Sequence, residues 1–272
     1  MAIGATINFL LSPLGLCISR TNSPDRAPTI ELDPRTGTDD YDWKLYHLDY
    51  SAQIAAIAKT HTQKLNHDDF SFSDGKLQLR PGLLPLHPNH TVLYETIGAL
   101  GAKSTLEVGC GGGDHLHNLS MLFPSMNVRG VDRSDGQLSF LRARSPHLAG
   151  KIEVMDATLP PSNRMPSADV VYSQAVIMHI QAGNGHRVAL SNMFRMAERA
   201  VVLMENFKRH SFVDDITNMK EEGRIEWPEV HFYVRNFEGR PHILIASKVT
   251  LDGFEPLGSY QRLIDAMTWS PT

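Results

Sequence analysis

A carboxylate followed by alternate glycines stands near the middle of the 272-residue chain, in Leu106-Glu107-Val108-Gly109-Cys110-Gly111-Gly112-Gly113-Asp114-His115. Lys103 to Val108 reads as a short buried strand, and His115-Leu116-His117-Asn118-Leu119 begins a helical pattern with apolar positions at Leu116, Leu119 and Leu122. A strand, a glycine turn and a helix N-terminus make a pocket floored by bare backbone. Glycine is needed there because a β-carbon would block close approach of a ligand and forbid positive φ. A dinucleotide would require G-x-G-x-x-G, with backbone N–H groups facing a pyrophosphate. Counted from Gly109, the third glycine slot is occupied by Asp114, and a carboxylate at a helix N-terminus repels the phosphates that the dipole attracts.

Other polar residues fall where strands are expected to end: Asp132, Asp156, Gln174 and Glu205. In an open α/β sheet those ends surround the ligand. Asp132, about 20 residues past the glycine turn, is placed to accept ribose hydroxyls, which would also suit NAD. Each such acid can instead be a helix N-cap, Asp132 before Ser134 among them. His179 follows the fourth strand, and His210 ends Glu205-Asn206-Phe207-Lys208-Arg209-His210 after the fifth. An imidazole suits a base that must work near neutral pH, although thirteen histidines make chance placement easy. Glu205 and Asn206 could orient such a histidine or grip acceptor hydroxyls, or merely cap the following turn. His87 and His90 straddle Pro88-Asn89 at an expected helix start, on a pocket roof or in a capping role. His115 and His117, two apart on a helix, face different directions and suggest no metal set. Met178, Met193 and Met196 read as core filler.

The pattern Glu107-x-Gly109-x-Gly111-x-Gly113 resembles motif I of the class I S-adenosylmethionine (SAM)-dependent methyltransferases, and the ordered acids extend the resemblance over about Asn89 to Val249. It implies a Rossmann-like α/β fold: a seven-stranded, mostly parallel sheet with one antiparallel strand and helices on both faces. It implies S-adenosylmethionine as cofactor, held by Glu107, Gly109, Cys110, Gly111, Gly113, Asp132, Arg133, Asp156, Ala157 and Gln174. Asp156-Ala157 is similar to the position that accepts the adenine amino group, and Gln174 would lie near the methionine end. His210 and His179 are then the candidate catalytic bases, and Glu205, Asn206 and His87 the candidate substrate contacts. A zwitterion and a sulfonium tolerate carboxylates that a pyrophosphate would not. Ser173-Gln174-Ala175-Val176 lacks the Asn/Asp-Pro-Pro-aromatic turn of amino-methylating relatives. That absence points to a small-molecule or sugar/glycan acceptor, methylated on oxygen. An NAD-dependent oxidoreductase, a non-catalytic SAM-binding protein and a protein or RNA methyltransferase are the alternatives.

The elements expected to position these residues alternate as βαβ units. Strands are predicted at 103–108, 127–131, 152–155, 168–173, 200–204, 230–234 and 242–247, the last pair closing the sheet with its antiparallel strand. Ahead of them come a helix from Tyr41 to Leu65, a hairpin of Phe70-Ser71-Phe72 and Leu77-Gln78-Leu79 about Ser73-Asp74-Gly75, and a helix capped by Asn89. The domain reading is an apolar segment and linker over 1–40, a helical and hairpin cap over 41–88, and the SAM-binding domain over 89–272.

Ala2 to Ser19 is uncharged but broken by Asn8, Ser12, Pro13 and Gly15, which argues against a membrane span. No basic n-region supports a secretory signal. Packing on its own domain, self-association and peripheral membrane contact remain open to it. The net charge of -4 supplies no basic excess for tracking nucleic-acid phosphates. Cys17 and Cys110 cannot build a disulfide framework, and a cytoplasmic location fits.

Overall fold

The computed structural model describes residues 63–162, 164–181 and 183–258. The segment at 2–19, the linker at 21–40 and nearly all of the helix expected over 41–65 lie outside the described residues. The three described residues of that expected helix, Gln63 to Leu65, are not helical. They are sewn to the domain instead: Leu65 N donates to Asn118 Oδ1 at 2.9 Å, Asn118 Nδ2 donates to Gln63 O at 2.9 Å, and Lys64 Nζ donates to Arg144 O at 2.6 Å. Fully buried Leu65 joins the main core.

Strands β1 (Phe70–Ser73) and β2 (Lys76–Leu79) pair antiparallel as a hairpin. Helix α1 (Pro88–Leu100) follows, with His87 as its N-cap and a left-handed Gly101 at its end. Asn89 was the expected cap. Proline prefers the first helical position, which puts the cap at residue 87, where His87 Nδ1 accepts the Asn89 amide at 3.2 Å. Asn89 Oδ1 turns to His242 Nε2 at 2.7 Å.

The remaining elements alternate: β3 (Ser104–Val108), α2 (Asp114–Leu122), β4 (Asn127–Asp132), α3 (Asp135–Arg144), β5 (Ile152–Val154), β6 (Ala168–Gln174), α4 (Gly185–Met196), β7 (Ala197–Met204), α5 (Phe212–Glu221), β8 (His231–Phe237), β9 (Arg240–Ser247) and β10 (Glu255–Pro256). They form one sheet in the order β10-β8-β9-β7-β6-β3-β4-β5. Strands β3 to β7 are parallel, and β9 runs against β7 and β8. The sheet differs from the expected seven strands by the two-residue β10, which pairs antiparallel on β8 and so opposes the majority direction along with β9.

Period-two alternation divides the sheet's side chains between two cores. Val170, Tyr172, Val202, Ile243 and Ile245 face α1 and α2. Val171, Val201, Leu203, Leu244 and Ala246 face α4 and α5. The order reverses between β3 and β6, since β3 pairs β4 on one side and β6 on the other. At such a switch point the connecting loops diverge and leave a crevice at the strands' carboxyl ends. No helix among the described residues is long and apolar enough to cross a membrane.

Candidate active site

A cleft of about 340 Å³ occupies that crevice. All ten residues singled out for the cofactor line it: Glu107, Gly109, Cys110, Gly111, Gly113, Asp132, Arg133, Asp156, Ala157 and Gln174. So do His87 and His179. The loop after β3 makes the floor. Gly109, Gly111 and Gly113 all have positive φ, at 78°, 48° and 78°. The first and third have no room for a β-carbon, which would stand 2.4 Å from Val176 Cγ2 at Gly109 and 2.5 Å from Leu141 Cδ1 at Gly113. At Gly111 the nearest atom, Gln137 Oε1, is 4.0 Å away. Packing therefore requires the outer glycines, and the middle one leaves open floor. Beside it the buried Gln137 amide has no protein partner for its nitrogen or its oxygen.

Asp132 ties the loop to the end of β4. Its Oδ2 accepts the Gly111 amide at 2.8 Å and its Oδ1 the Ser134 amide at 2.8 Å. Burial raises its carboxyl, against the lowering effect of these two bonds. Ser134, not Asp132, is the N-cap of α3. Asp156 Oδ1 accepts Thr158 N at 2.9 Å and Thr158 Oγ1 at 2.6 Å. Glu107, 3% exposed, accepts the Tyr172 hydroxyl at 3.1 Å. Burial pushes its carboxyl well above the usual range, and Asp114 and Asp132 push the same way. Asp114 begins α2 and is held by Arg144, whose Nη2 lies 2.8 Å from Oδ1. Cys110, 5% exposed, packs its thiol against Gly130, where a β-carbon would stand 2.8 Å from the sulfur. Burial, then Glu107 and Asp132, raise that thiol well above its ordinary value.

Four carboxylates (Glu107, Asp114, Asp132 and Asp156) thus line the cleft, with Arg133 its sole Lys or Arg among the described residues. Such a field suits a cationic, zwitterionic ligand and disfavours a pyrophosphate. Residues and cofactor therefore fit: the cleft offers an open glycine floor, a buried amide with no protein partner and an acidic wall.

His179 ends a single 3-10 turn, Ile177–His179, on the cleft wall. Burial and, after it, Arg209 hold its imidazole below the ordinary value, so at neutral pH it is an acceptor of protons. His87, His90 and His115 line the same cleft.

Three candidates are not brought to the cleft. His210 turns to the face of the sheet that carries α4 and α5. Its Nε2 lies 3.2 Å from Ile177 O, and its ring stacks on His186 at 4.1 Å and 7°. Buried Glu205 takes Ser173 Oγ at 2.7 Å and the amides of Val176, Ile177 and Met178 at 3.1–3.2 Å. It holds the turn that carries His179. Asn206 Oδ1 accepts Lys208 N at 3.1 Å, and the Asn206 backbone N–H donates to Met178 Sδ at 3.4 Å. These placements share one cause. The chain leaves β7 into a turn packed under the post-β6 loop, so residues past that strand support the wall from behind.

Sequence reasoning missed Ala175, a non-glycine residue at φ 53° where β6 meets the cleft, and the buried pair Tyr94 and His115, 3.1 Å apart. The spacing of His90 and Tyr94, one helical turn apart, was the available signal for the second. No group of three or more His, Cys, Asp or Glu suited to a metal occurs among the described residues.

Residues 105–199 match a family model described as "Methyltransferase domain". No curated protein matches the chain. Among solved structures, the chain is similar to a TehB-like SAM-dependent methyltransferase from Corynebacterium glutamicum, at 17% identity and TM-score 0.48, covering 78% of this chain and 98% of that one. It is similar also to the magnesium protoporphyrin IX methyltransferase of Synechocystis with bound SAM, at 18% identity and TM-score 0.44, covering 59% and 79%. The matched family segment runs from β3 through the glycine loop and Asp132, Asp156 and Gln174 into β7.

Proposed function

We propose that this SAM-dependent methyltransferase, whose cofactor is S-adenosylmethionine, methylates an oxygen of a small-molecule or sugar/glycan acceptor. The observation that carries the proposal is the composition of the cleft: four acidic side chains share its lining with imidazole and amide groups. Among the described residues Arg133 is the sole Lys or Arg of the cleft, which gives a polyphosphate strand little to track along. An imidazole, which when neutral donates and accepts at once, suits a hydroxyl-bearing acceptor. Cytoplasmic placement goes with this reading, as the compartment that holds the cofactor.

The bound cofactor supplies a methyl group on a sulfonium, a good leaving group, so the protein's part is alignment and proton management. Glu107, Asp132 and Asp156 would hold its amino-acid, ribose and adenine ends. His179 takes the acceptor hydroxyl proton on its imidazole as the oxygen is alkylated. Its depressed basicity keeps it deprotonated for that task. Glu205 fixes the turn behind it.

The first test is thermal stability with SAM, S-adenosylhomocysteine, NAD and NADP. A ligand specific to the native state adds about 2.7 kcal/mol at a hundredfold excess over Kd. A shift with the two adenosyl sulfur compounds alone is expected, and a shift with NAD alone would overturn the cofactor. Radiolabel transfer to a panel of polyols, sugars and phenols, with RNA and protein alongside, then tests the acceptor class. Label entering only RNA or protein overturns it, and full turnover by His179→Ala removes the base.

A further inference from the structure

The geometry points to His115, backed by Tyr94 and Asn118, as a positioning residue that locks the Gln174 amide with its –NH2 toward the amino-acid end of the bound cofactor. This rests on the methyltransferase reading of the cleft. Gln174 is the last residue of β6 and lines the cleft. Its Oε1 lies 3.2 Å from His115 Nε2, and His115 Nδ1 lies 3.1 Å from the Tyr94 hydroxyl. Asn118 Nδ2 donates to that hydroxyl at 3.0 Å, while Asn118 Oδ1 takes the Leu65 amide. Tyr94 and Asn118 are fully buried, and His115 is 7% exposed.

Donor and acceptor roles follow in sequence along these contacts. An amide oxygen only accepts, so His115 Nε2 carries a hydrogen. A neutral ring then offers Nδ1 as acceptor, the Tyr94 hydroxyl donates to it, and that hydroxyl's oxygen takes the Asn118 hydrogen. Burial favours this state at two places, holding His115 below its ordinary value and Tyr94 well above its own. A glutamine amide can turn over and exchange oxygen for nitrogen at little cost when both ends face solvent. Here the oxygen is committed to His115, so the group left for a ligand is a pair of N–H donors. On the neighbouring strand Glu107 pairs with Tyr172 in register, two residues before Gln174. A carboxylate beside an N–H pair matches an ammonium and a carboxylate, the two charges of an α-amino acid head.

Binding is measured by calorimetry with two probes. S-adenosylhomocysteine carries the amino-acid head, and 5′-methylthioadenosine shares its adenosine and thioether but lacks that head. His115→Phe and Tyr94→Phe are expected to weaken S-adenosylhomocysteine by about tenfold, the scale of one buried hydrogen bond, and to leave 5′-methylthioadenosine within about twofold. His115→Gln, which keeps a donor for Gln174 Oε1, is expected to recover most of the loss. Tyr94→Phe keeps the test open if the His115 variant does not fold. Equal weakening of both probes would mean a purely structural role and overturn the inference, as would unchanged binding of both. Failure of the unmodified protein to bind S-adenosylhomocysteine at all would instead remove the cofactor reading beneath it.

Discussion

Val176 closes over Gly109: its Cγ2 methyl lies 2.4 Å from the point where a β-carbon on that glycine would stand. Because Gly109 also has φ 78°, Gly109→Ala meets two penalties. The left-handed backbone costs about 1–2 kcal/mol and the overpacking typically about 1–3 kcal/mol. A fall in melting temperature of roughly 4–20 °C is expected, on about 2–4 °C per kcal/mol, with S-adenosylhomocysteine binding lost. Gly150→Ala, with open space around it and no positive φ, is the control and should change the midpoint by less than about 2 °C, as surface substitutions do. Equal melting temperatures for the two variants would mean that Val176 yields freely.

Glu205→Gln tests the turn that carries His179. The carboxylate accepts three backbone amides and one hydroxyl, and a glutamine must set its own –NH2 against one of those donors. A buried donor left without an acceptor costs about 1–3 kcal/mol, so the melting temperature should fall by roughly 2–12 °C. Circular dichroism melting checks this. An unchanged melt would show that the turn does not depend on the carboxylate.

The stacked imidazoles of His186 and His210 give the stability an acid limb. Burial lowers both, and each is further lowered by a neighbouring cation when charged: His210 by His186, and His186 by Arg187. Asp215 opposes the shift at both, and the Ile177 and Ile180 carbonyls oppose it at His210. With folded values below the unfolded value of about 6.5, the unfolded chain takes up protons first as pH falls. Stability is thus full above about pH 6.5 and is lost below it. His210→Phe should flatten the dependence of the urea midpoint between about pH 7.5 and 5.5. If the variant keeps the parent's slope, the pair does not set it.

Glu107 should lose a proton when the cofactor product binds. Its carboxyl is held well above the usual range by burial and by Asp114 and Asp132, and an ammonium placed beside it would pull it down. Calorimetric binding enthalpies of S-adenosylhomocysteine at about pH 6 should therefore differ between phosphate and imidazole buffers in the sense of proton release. Glu107→Gln should remove that difference. Identical enthalpies for the unmodified protein would place the ammonium elsewhere.

Much of the frame was legible in the chain because period-two alternation and terminal carboxylates are local signals. Val170, Val171 and Tyr172 alternate between cores as a half-buried strand must, and Asp132 and Asp156 fall where strand and crevice meet. The direction of a loop is not local. His179 and His210 each follow a strand end, yet one lines the cleft and the other stacks behind it, because the turn after β7 is drawn under the post-β6 loop by Glu205. The relay from Asn118 to Gln174 joins three separate elements and left only the His90–Tyr94 spacing as a trace. The two-residue β10 is too short for any pattern to register.

The thiol of Cys110 is buried within the glycine loop and pressed on Gly130, and burial first, then Glu107 and Asp132, suppress its ionisation. Nucleophilicity in sulfur chemistry belongs to the thiolate, so this sulfur is a poor target for peroxides, disulfides and alkylating reagents. The loop proposed to hold the cofactor consequently carries a cysteine shielded from redox chemistry, and methyl transfer should proceed alike under reducing and mildly oxidising conditions.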